Sequence, residues 1–205
     1  MSLVTVSTLR EYLPEIASNT EIDTELGNLL DRVEKGIANY LGFPLLDSAL
    51  SPTLESSTYT LYVDSPMSTD AYTLQLPVAP VTAITSIYSD SGREYTEATL
   101  IDASNYELNK SLGRVSLLPP NIPRSFSNGK RSNKVTCTAG FTAGTLPGDL
   151  EHAICVYASQ LHRNKQTQGK SSINTRAGSV QLSKKSLPDE VKEFLYPYRV
   201  PGTIL

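Results

Sequence analysis

The side chains best suited to nucleophilic or metal chemistry are few in this chain. It contains two histidines, His152 and His162, and two cysteines, Cys137 and Cys155. On a helix that turns about 100° per residue, the two histidines would lie roughly 80° from a shared face, so they do not make a paired metal site. His152 and Cys155 can share a helix face, but two ligands without a third do not make a zinc site. The sequence therefore predicts no metal site.

Catalytic motifs are not found in the sequence either. The chain has no Gly-x-Ser-x-Gly elbow, no Gly-x-x-x-x-Gly-Lys phosphate loop and no Cys-x-x-Cys pair. We therefore expect no catalytic residue and no cofactor, and we expect that the protein is not an enzyme. The two cysteines are too few for a disulfide framework, and each lies in an apolar pattern that is typical of a buried, reduced thiol.

Charge is segregated along the chain. Residues 1–107 carry 16 acidic and 4 basic side chains, whereas residues 108–205 carry 5 acidic and 14 basic ones. A chain divided in this way can bind a copy of itself head to tail, or place its basic part against an acidic partner, because opposite fields guide encounter and orientation. The chain does not open with a basic segment followed by an apolar run, and no run of about 18 apolar residues occurs, so we expect neither an export signal nor a membrane span.

Helical periodicity marks both ends of the chain. From residue 21 to residue 41 apolar side chains recur at steps of three and four, and Gly42 ends the pattern. A shorter helix is predicted over residues 7–13, a third after Pro147, and a fourth over residues 189–196. The acidic side chains of the long helix are expected to form its solvated face, and they include Glu21, Asp23, Glu25, Asp31 and Glu34.

The middle of the chain predicts short strands. β-Branched and aromatic segments separated by turn residues cover residues 59–63, 72–76, 81–88, 106–108, 114–118 and 135–138. Residues 89–92 are interpreted as a hairpin turn. The predicted fold is α+β, a bundle of about four helices with a small, mainly antiparallel β-sheet subdomain inserted between the second and third helices. We predict a single domain over residues 1–205, built from N-terminal helices (1–44), a β-rich subdomain (45–146) and C-terminal helices (147–205).

A basic stretch between the last two helices is the first predicted contact surface. Residues 163–185 lack periodicity and carry no acidic side chain. This segment is either a solvated loop or a surface that becomes ordered against a partner or faces DNA, where cations would meet phosphates without reading sequence. The candidate contact residues are Arg163, Lys165, Lys170, Arg176, Lys184 and Lys185. A second basic group follows a Pro-rich connection and is either an exposed loop or a contact with a neighbour: Arg124, Lys130, Arg131 and Lys134.

Several blocks of residues resemble one family. The segment Ile-Ala-Asn-Tyr-Leu-Gly-Phe-Pro-Leu at 37–45 is similar to the opening of the head-to-tail connector proteins of tailed bacteriophages, also called adaptor or head-completion proteins. Residues 76–81, residues 135–150 and the closing segment 187–199 resemble later parts of the same family in the same order. These blocks together span most of the chain.

The resemblance implies a structural role in the virion. It implies a ring of twelve identical subunits that docks beneath the portal protein, continues the DNA channel toward the next neck or tail protein, helps to retain packaged DNA, and assembles in the host cytoplasm. We expect the C-terminal tail, residues 197–205, to dock on the portal or the next neck protein. Its candidate contact residues, with the tyrosine that precedes it, are Tyr196, Tyr198, Arg199, Ile204 and Leu205.

Two other classes of function stay open at this point. A nucleic-acid-binding protein without sequence preference would also use the basic half, although the sequence pI of 5.4 argues against it. A small cytosolic enzyme would need a pocket that holds His152 and Cys155 beside a buried carboxylate.

Overall fold

Helices lie toward the two ends of the chain, and most strands lie between them. A computed structural model describes residues 2–16, 20–46, 50–64, 72–118, 125–167, 172–175, 178–181 and 187–199. The helices in these ranges are α1 (Val6–Glu11), α2 (Asp23–Leu41), α3 (Gly148–Arg163) and α4 (Asp189–Leu195). The strands are β1 (Ser57–Val63), β2 (Thr73–Gln75), β3 (Val81–Ser89), β4 (Tyr106–Asn109), β5 (Arg114–Leu117), β6 (Asn133–Ala139), β7 (Ser172–Thr175) and β8 (Gly178–Gln181). The chain divides into two compact units, residues 1–36 with 145–197 and residues 37–144 with 198–205.

The first unit is helical because its apolar residues follow the helical repeat. Leu26, Leu30 and Val33 of α2 are buried at steps of three and four. The short helices α1 and α4 both pack against α3. Helix α3 has acidic residues in its first turn and Arg163 in its last turn, an order that favours the helix dipole. Within the described residues, no helix is both long and apolar enough to span a bilayer.

The second unit is built on two antiparallel sheets of three strands each. The first sheet has the order β1-β6-β3 and the second the order β2-β5-β4. Along β1 and β6, residues alternate between a buried and a more exposed face, as expected for a sheet that covers a core on one side. The buried face of the first sheet includes Tyr59, Leu61, Val135, Cys137 and Ile87.

Gly140 fixes the point where β6 turns out of the first sheet. Its φ is +107°, and a Cβ atom at this position would lie 2.7 Å from the carbonyl oxygens of Leu54 and Glu55. Only glycine has room for this backbone approach, and its conformation is rarely adopted by other residues. The amide of Gly140 donates to the carbonyl oxygen of Pro80 at 2.9 Å, which ties the turn to the start of β3.

The predicted α+β class is confirmed, with helices and small antiparallel sheets. All six predicted strand segments are present. A turn follows β3 at residues 91–92 and the chain returns to β3 through an isolated antiparallel bridge between Tyr88 and Leu100, while the ladder of β3 is formed with β6. The stretch 163–185 was predicted without regular structure, yet it contains the hairpin β7-β8. Its short polar strands lack the apolar alternation on which the prediction relied. The grouping of residues 1–205 into one connector domain stays a prediction.

Candidate interaction surfaces

Arg163 and Lys165, two of the predicted contact residues, form ion pairs within the first unit. Arg163 ends α3, and its Nε donates a hydrogen bond to Oε1 of Glu15 at 2.9 Å while its Nη2 donates to the carbonyl oxygen of Tyr12 at 2.8 Å. Lys165 pairs with Glu25 of α2. Cations from the basic half of the sequence therefore meet carboxylates from the acidic half inside one chain.

These contacts change the ionisation of the groups involved. The hydrogen bond from Arg163 lowers the pKa of the Glu15 carboxyl, and the hydrogen bond from Lys165 lowers the pKa of the Glu25 carboxyl. The bond to Glu15 also raises the pKa of Arg163. Because about half of each side chain is exposed, solvent screens the attraction and the pairs contribute little to folding. A partner can therefore exchange these contacts for its own at small cost.

Other acidic residues of α2 also have partners within the chain. Asp23 pairs with Arg10 of α1, and Asp31 pairs with Lys35 one turn along α2 at 2.7 Å. The acidic face predicted for this helix is therefore partly neutralised before any partner arrives.

The prediction of a solvated acidic face is wrong at Glu34, which is 5% exposed. Its Oε1 accepts hydrogen bonds from Ser2 Oγ at 2.5 Å and from the Val4 amide at 3.1 Å, and its Oε2 accepts from the Leu3 amide at 3.1 Å. The carboxylate thus fastens the N-terminal segment onto α2. Sequence periodicity could not reveal this, because the donors, two backbone amides and one hydroxyl, are about thirty positions away.

The C-terminal contact candidates differ in their exposure. Tyr196 is 74% exposed, which leaves most of its ring available to a partner. Tyr198 packs edge-on against Phe141 with ring centroids 6.3 Å apart, and the Arg199 guanidinium lies 5.7 Å from the ring centroid of Tyr40. Seven candidate contact residues lie outside the described residues: Arg124, Lys170, Arg176, Lys184, Lys185, Ile204 and Leu205.

A cleft of about 500 Å³ opens in the first unit beside the pair formed by Glu25 and Lys165. Its apolar lining comes from Ile22, Leu29 and Leu161. The polar lining is of mixed charge and comes from Glu21, Thr24, Glu25, Asn28, Arg32, His162 and Lys165.

The histidine and cysteine side chains that could act as nucleophiles or metal ligands include His152, Cys137 and Cys155. His152 Nδ1 lies 2.9 Å from the Tyr12 hydroxyl, and its ring packs edge-on against Phe194. Burial raises the pKa of Cys137 to about 11 and that of Cys155 to about 12, so both thiols are held protonated at neutral pH. Among the described residues, no group of three or more His, Cys, Asp or Glu side chains could hold a metal ion.

The second unit carries a cluster of aromatic and basic side chains at one end of its first sheet. The register aligns Tyr62 of β1 and Tyr88 of β3 with Lys134 of β6 between them. The Arg131 guanidinium lies 4.5 Å from the centroid of the Tyr62 ring, and Lys134 Nζ lies 5.7 Å from the centroids of both Tyr88 and Tyr95. We call these five residues the tyrosine–cation patch. The sequence grouped Arg131 with Lys134 but missed the tyrosines, which only the strand register brings beside them.

Solved structures with a similar fold come from gene transfer agent (GTA) particles. A chain in the neck of the native particle, computed with C12 symmetry, matches with a TM-score of 0.56 at 19% identity, over 97% of this chain and 90% of that chain. A chain in the neck of the empty particle, computed with C6 symmetry, matches with a TM-score of 0.53 at 18% identity, over 96% and 90%. A chain in the virion of the native particle matches with a TM-score of 0.50 at 17% identity, over 89% and 80%. Neither a protein-family model nor a curated protein matches the chain. The resemblance to head-to-tail connectors is confirmed at the level of the fold.

Proposed function

We propose that this chain is a structural neck protein of a tailed virion, forming a ring of identical subunits between the portal and the tail. The observation that carries the proposal is the fold shared over 97% of the chain with a component of a GTA neck. The symmetry in which that neck was computed, C12, supports twelve subunits. In this role the protein works mechanically, by continuing the DNA channel and helping to retain packaged DNA.

Segregated charge suits a closed ring. In a ring each subunit presents one face to the next and the opposite face to the one before, so complementary faces favour head-to-tail closure. Some of these opposite charges already pair within one chain, as Glu15–Arg163 and Glu25–Lys165. Because these pairs are exposed, a neighbouring subunit can take over either partner as the ring forms.

The basic stretch 163–185 is the surface that we assign to DNA or to a neighbouring subunit. Arg163 and Lys165 lie at its start, and Lys165 borders the cleft lined by Arg32 and His162. Cations on a channel wall would meet phosphates without selecting a sequence, as a conduit for any packaged DNA requires.

The C-terminal segment is the surface that we assign to the portal or the next neck protein. Tyr196 has a ring that is 74% exposed, and large aromatic side chains are common anchors of protein interfaces. Arg199 and Tyr198 follow it at the end of the described chain.

Mixing the purified chain with portal rings from the same virus tests the proposal. Electron microscopy and native mass spectrometry should show twelve copies bound to one face of each portal ring. Removing the gene should yield particles that lose their DNA and carry no tail. The proposal is contradicted if the chain is absent from purified particles, or if it stays monomeric beside portal rings.

Two variants separate the proposed surfaces. Charge reversal at Arg163 and Lys165 should weaken ring assembly or DNA retention, whereas the same reversal at the exposed Lys110 and Arg114 should not. Deleting residues 197–205 should block docking on the portal and leave the monomer folded. A deletion variant that unfolds would show that this end packs in the core.

A further inference from the structure

The tyrosine–cation patch is held rigidly before any partner arrives. The Arg131 amide donates to Oδ1 of Asp64 at 2.6 Å, and the Arg131 carbonyl oxygen accepts a hydrogen bond from the Tyr95 hydroxyl. Tyr62 and Tyr95 have ring centroids 5.7 Å apart. Because the backbone and the guanidinium of Arg131 are both fixed, little side-chain entropy remains to be lost on binding.

The loop that carries Tyr95 is organised by a single carboxylate. Asp90 accepts hydrogen bonds from the amides of Gly92 and Glu94, each at 2.8 Å, and of Tyr95 at 3.0 Å. Tyr95 and Arg131 both have positive φ angles, +51° and +54°. Such backbone is sparsely populated outside glycine and is found at sites where geometry is held for binding. Two members of one patch share this feature.

The cations of the patch are available to an acidic partner. In the described chain, neither the Arg131 guanidinium nor the Lys134 ammonium forms an ion pair with a carboxylate, unlike the side chains of Arg10, Arg163 and Lys165. Beyond the patch, the same face of β1 and β6 carries uncharged threonines that are at least partly exposed to solvent. They are Thr58, Thr60, Thr136 and Thr138. Tyrosine and arginine set in a weakly charged surround are typical of protein interfaces, whereas a DNA-binding face would carry more cations.

The same unit presents a complementary acidic surface. Residues 97–107 carry Glu97, Asp102 and Glu107 and no lysine or arginine. Leu100, between the first two of these, is 43% exposed. In the described residues, neither Glu97 nor Glu107 forms an ion pair. An apolar side chain flanked by carboxylates complements tyrosine rings flanked by cations.

The Arg131–Tyr62 end of the patch and Leu100 of the acidic segment lie toward opposite edges of the first sheet, whereas Tyr88 of the patch lies on β3 beside Leu100. Leu100 forms an isolated antiparallel bridge with Tyr88 on β3, and the Ile101 amide donates to the carbonyl oxygen of Ile87 at 2.8 Å, so this part of the acidic segment lies at the β3 edge, while Glu107 lies on β4 of the second sheet. Tyr62, which carries Arg131 over its ring, lies on β1 at the other edge. Identical copies placed side by side would bring the β1 edge of one against the β3 edge of the next.

We propose that the Arg131–Tyr62 end of the tyrosine–cation patch, at the β1 edge, binds residues 97–107 of a second copy of this chain. The contact is heterologous, since each copy uses its patch on one side and its acidic segment on the other. This inference rests on the proposed ring, because it names the surface through which neighbouring subunits meet.

Cross-linking between two variants tests the contact without requiring a complete ring. A full-length Thr60→Cys chain is mixed with a full-length Ala98→Cys chain and treated with a short bismaleimide; Thr60 lies on β1 two residues before Tyr62, and Ala98 is an exposed residue two positions before Leu100. The buried Cys137 and Cys155 provide little background, because neither thiol is accessible. The matched control replaces Ala98→Cys with Ser111→Cys, a small residue that is also exposed. We expect the first mixture to yield at least about tenfold more cross-linked dimer than the control.

Charge reversal then identifies the cause. Arg131→Glu with Lys134→Glu in the Thr60→Cys chain should return cross-linking to the control level, and Glu97→Lys with Glu107→Lys in the partner chain should restore it. The inference is overturned if the mixture cross-links no more than the control, even where wild-type rings form on portal. It is also overturned if the Arg131 and Lys134 reversal abolishes binding to duplex DNA and leaves cross-linking unchanged. Cross-linking that succeeds while the chain never joins a portal would instead contradict the proposed function alone.

Discussion

Removing the Glu34 carboxylate should detach the N-terminal segment from α2. Glu34 is 5% exposed, and its two oxygens hold Ser2, Leu3 and Val4. The Glu34→Ala substitution removes the acceptors of three hydrogen bonds and leaves their donors behind. Helix propensity alone would favour alanine at this position, so any loss of stability must come from the lost tertiary hydrogen bonds.

The magnitude follows from the two amides that lose their acceptor. A buried N–H without an acceptor costs about 1–3 kcal/mol, so the Leu3 and Val4 amides together cost about 2–6 kcal/mol if the segment stays in place. The segment can instead move into water, but it then exposes the side chains of Leu3 and Val4, which are 8% and 3% exposed. Exposing each of them costs about 1.5–3 kcal/mol. By either route we expect the free energy of unfolding to fall by at least about 2 kcal/mol.

Urea unfolding followed by circular dichroism measures this loss, and hydrogen exchange locates it. The Leu3 and Val4 amides should lose protection in Glu34→Ala, while amides in β6 keep theirs. Glu34→Gln, which keeps the side-chain volume and one oxygen acceptor, should fall between wild type and alanine. Glu25→Ala serves as the control, because it removes an exposed carboxylate from the same helix and should leave the unfolding midpoint unchanged. The reasoning is refuted if Glu34→Ala unfolds at the wild-type urea concentration with both amides still protected.

Other substitutions test the backbone and the ion pairs. Gly36→Ala should raise the free energy of unfolding by up to about 1 kcal/mol, since a Cβ atom there meets nothing within 4 Å and alanine favours the helix; a loss measured in urea would show a hidden close contact. Gly140→Ala should destabilise by more than about 2 kcal/mol because its Cβ would strike two carbonyl oxygens, whereas Gly144→Ala, with open space around it, should melt within a degree or two of wild type. NMR titration should find the Glu15 pKa below its ordinary value and higher in Arg163→Gln than in wild type, because the Arg163 hydrogen bond is the main cause that lowers it. The pKa of Glu15 is lower in the folded than in the unfolded state, so the pair contributes its stabilisation fully above the unfolded pKa of about 4.3. This stabilisation is lost as the pH falls through the folded pKa. An unchanged Glu15 pKa in Arg163→Gln would contradict the assignment.

Local patterns determined the elements of this fold. The steps of three and four in α2 and the β-branched runs of β1, β3 and β6 gave helices and strands close to where the structure has them. The prediction that missed most was the β7-β8 hairpin, whose polar four-residue strands carry no apolar alternation. The turn predicted at residues 89–92 is present, but it leads to one antiparallel bridge and not to a ladder strand, because a turn motif fixes the turn and not the partner of the strand before it.

Candidate surfaces were predicted less well than elements. The sequence identified Arg163 and Lys165 as contact residues but could not show that Glu15 and Glu25 already engage them. It grouped Arg131 with Lys134 without the tyrosines that hold them. In each case the missing information was a partner that is distant in sequence.

The amino-acid sequence by itself determined composition, the segregation of charge, the order of helices and strands, and the resemblance to connector proteins. These properties depend on neighbouring residues or on simple counts along the chain. Tertiary structure alone decided that Glu34 is buried beneath backbone amides and that Tyr62, Lys134 and Tyr88 form one row. The physical reason is that strand register and buried hydrogen bonds join residues tens of positions apart, and no local periodicity encodes which of many distant groups will meet.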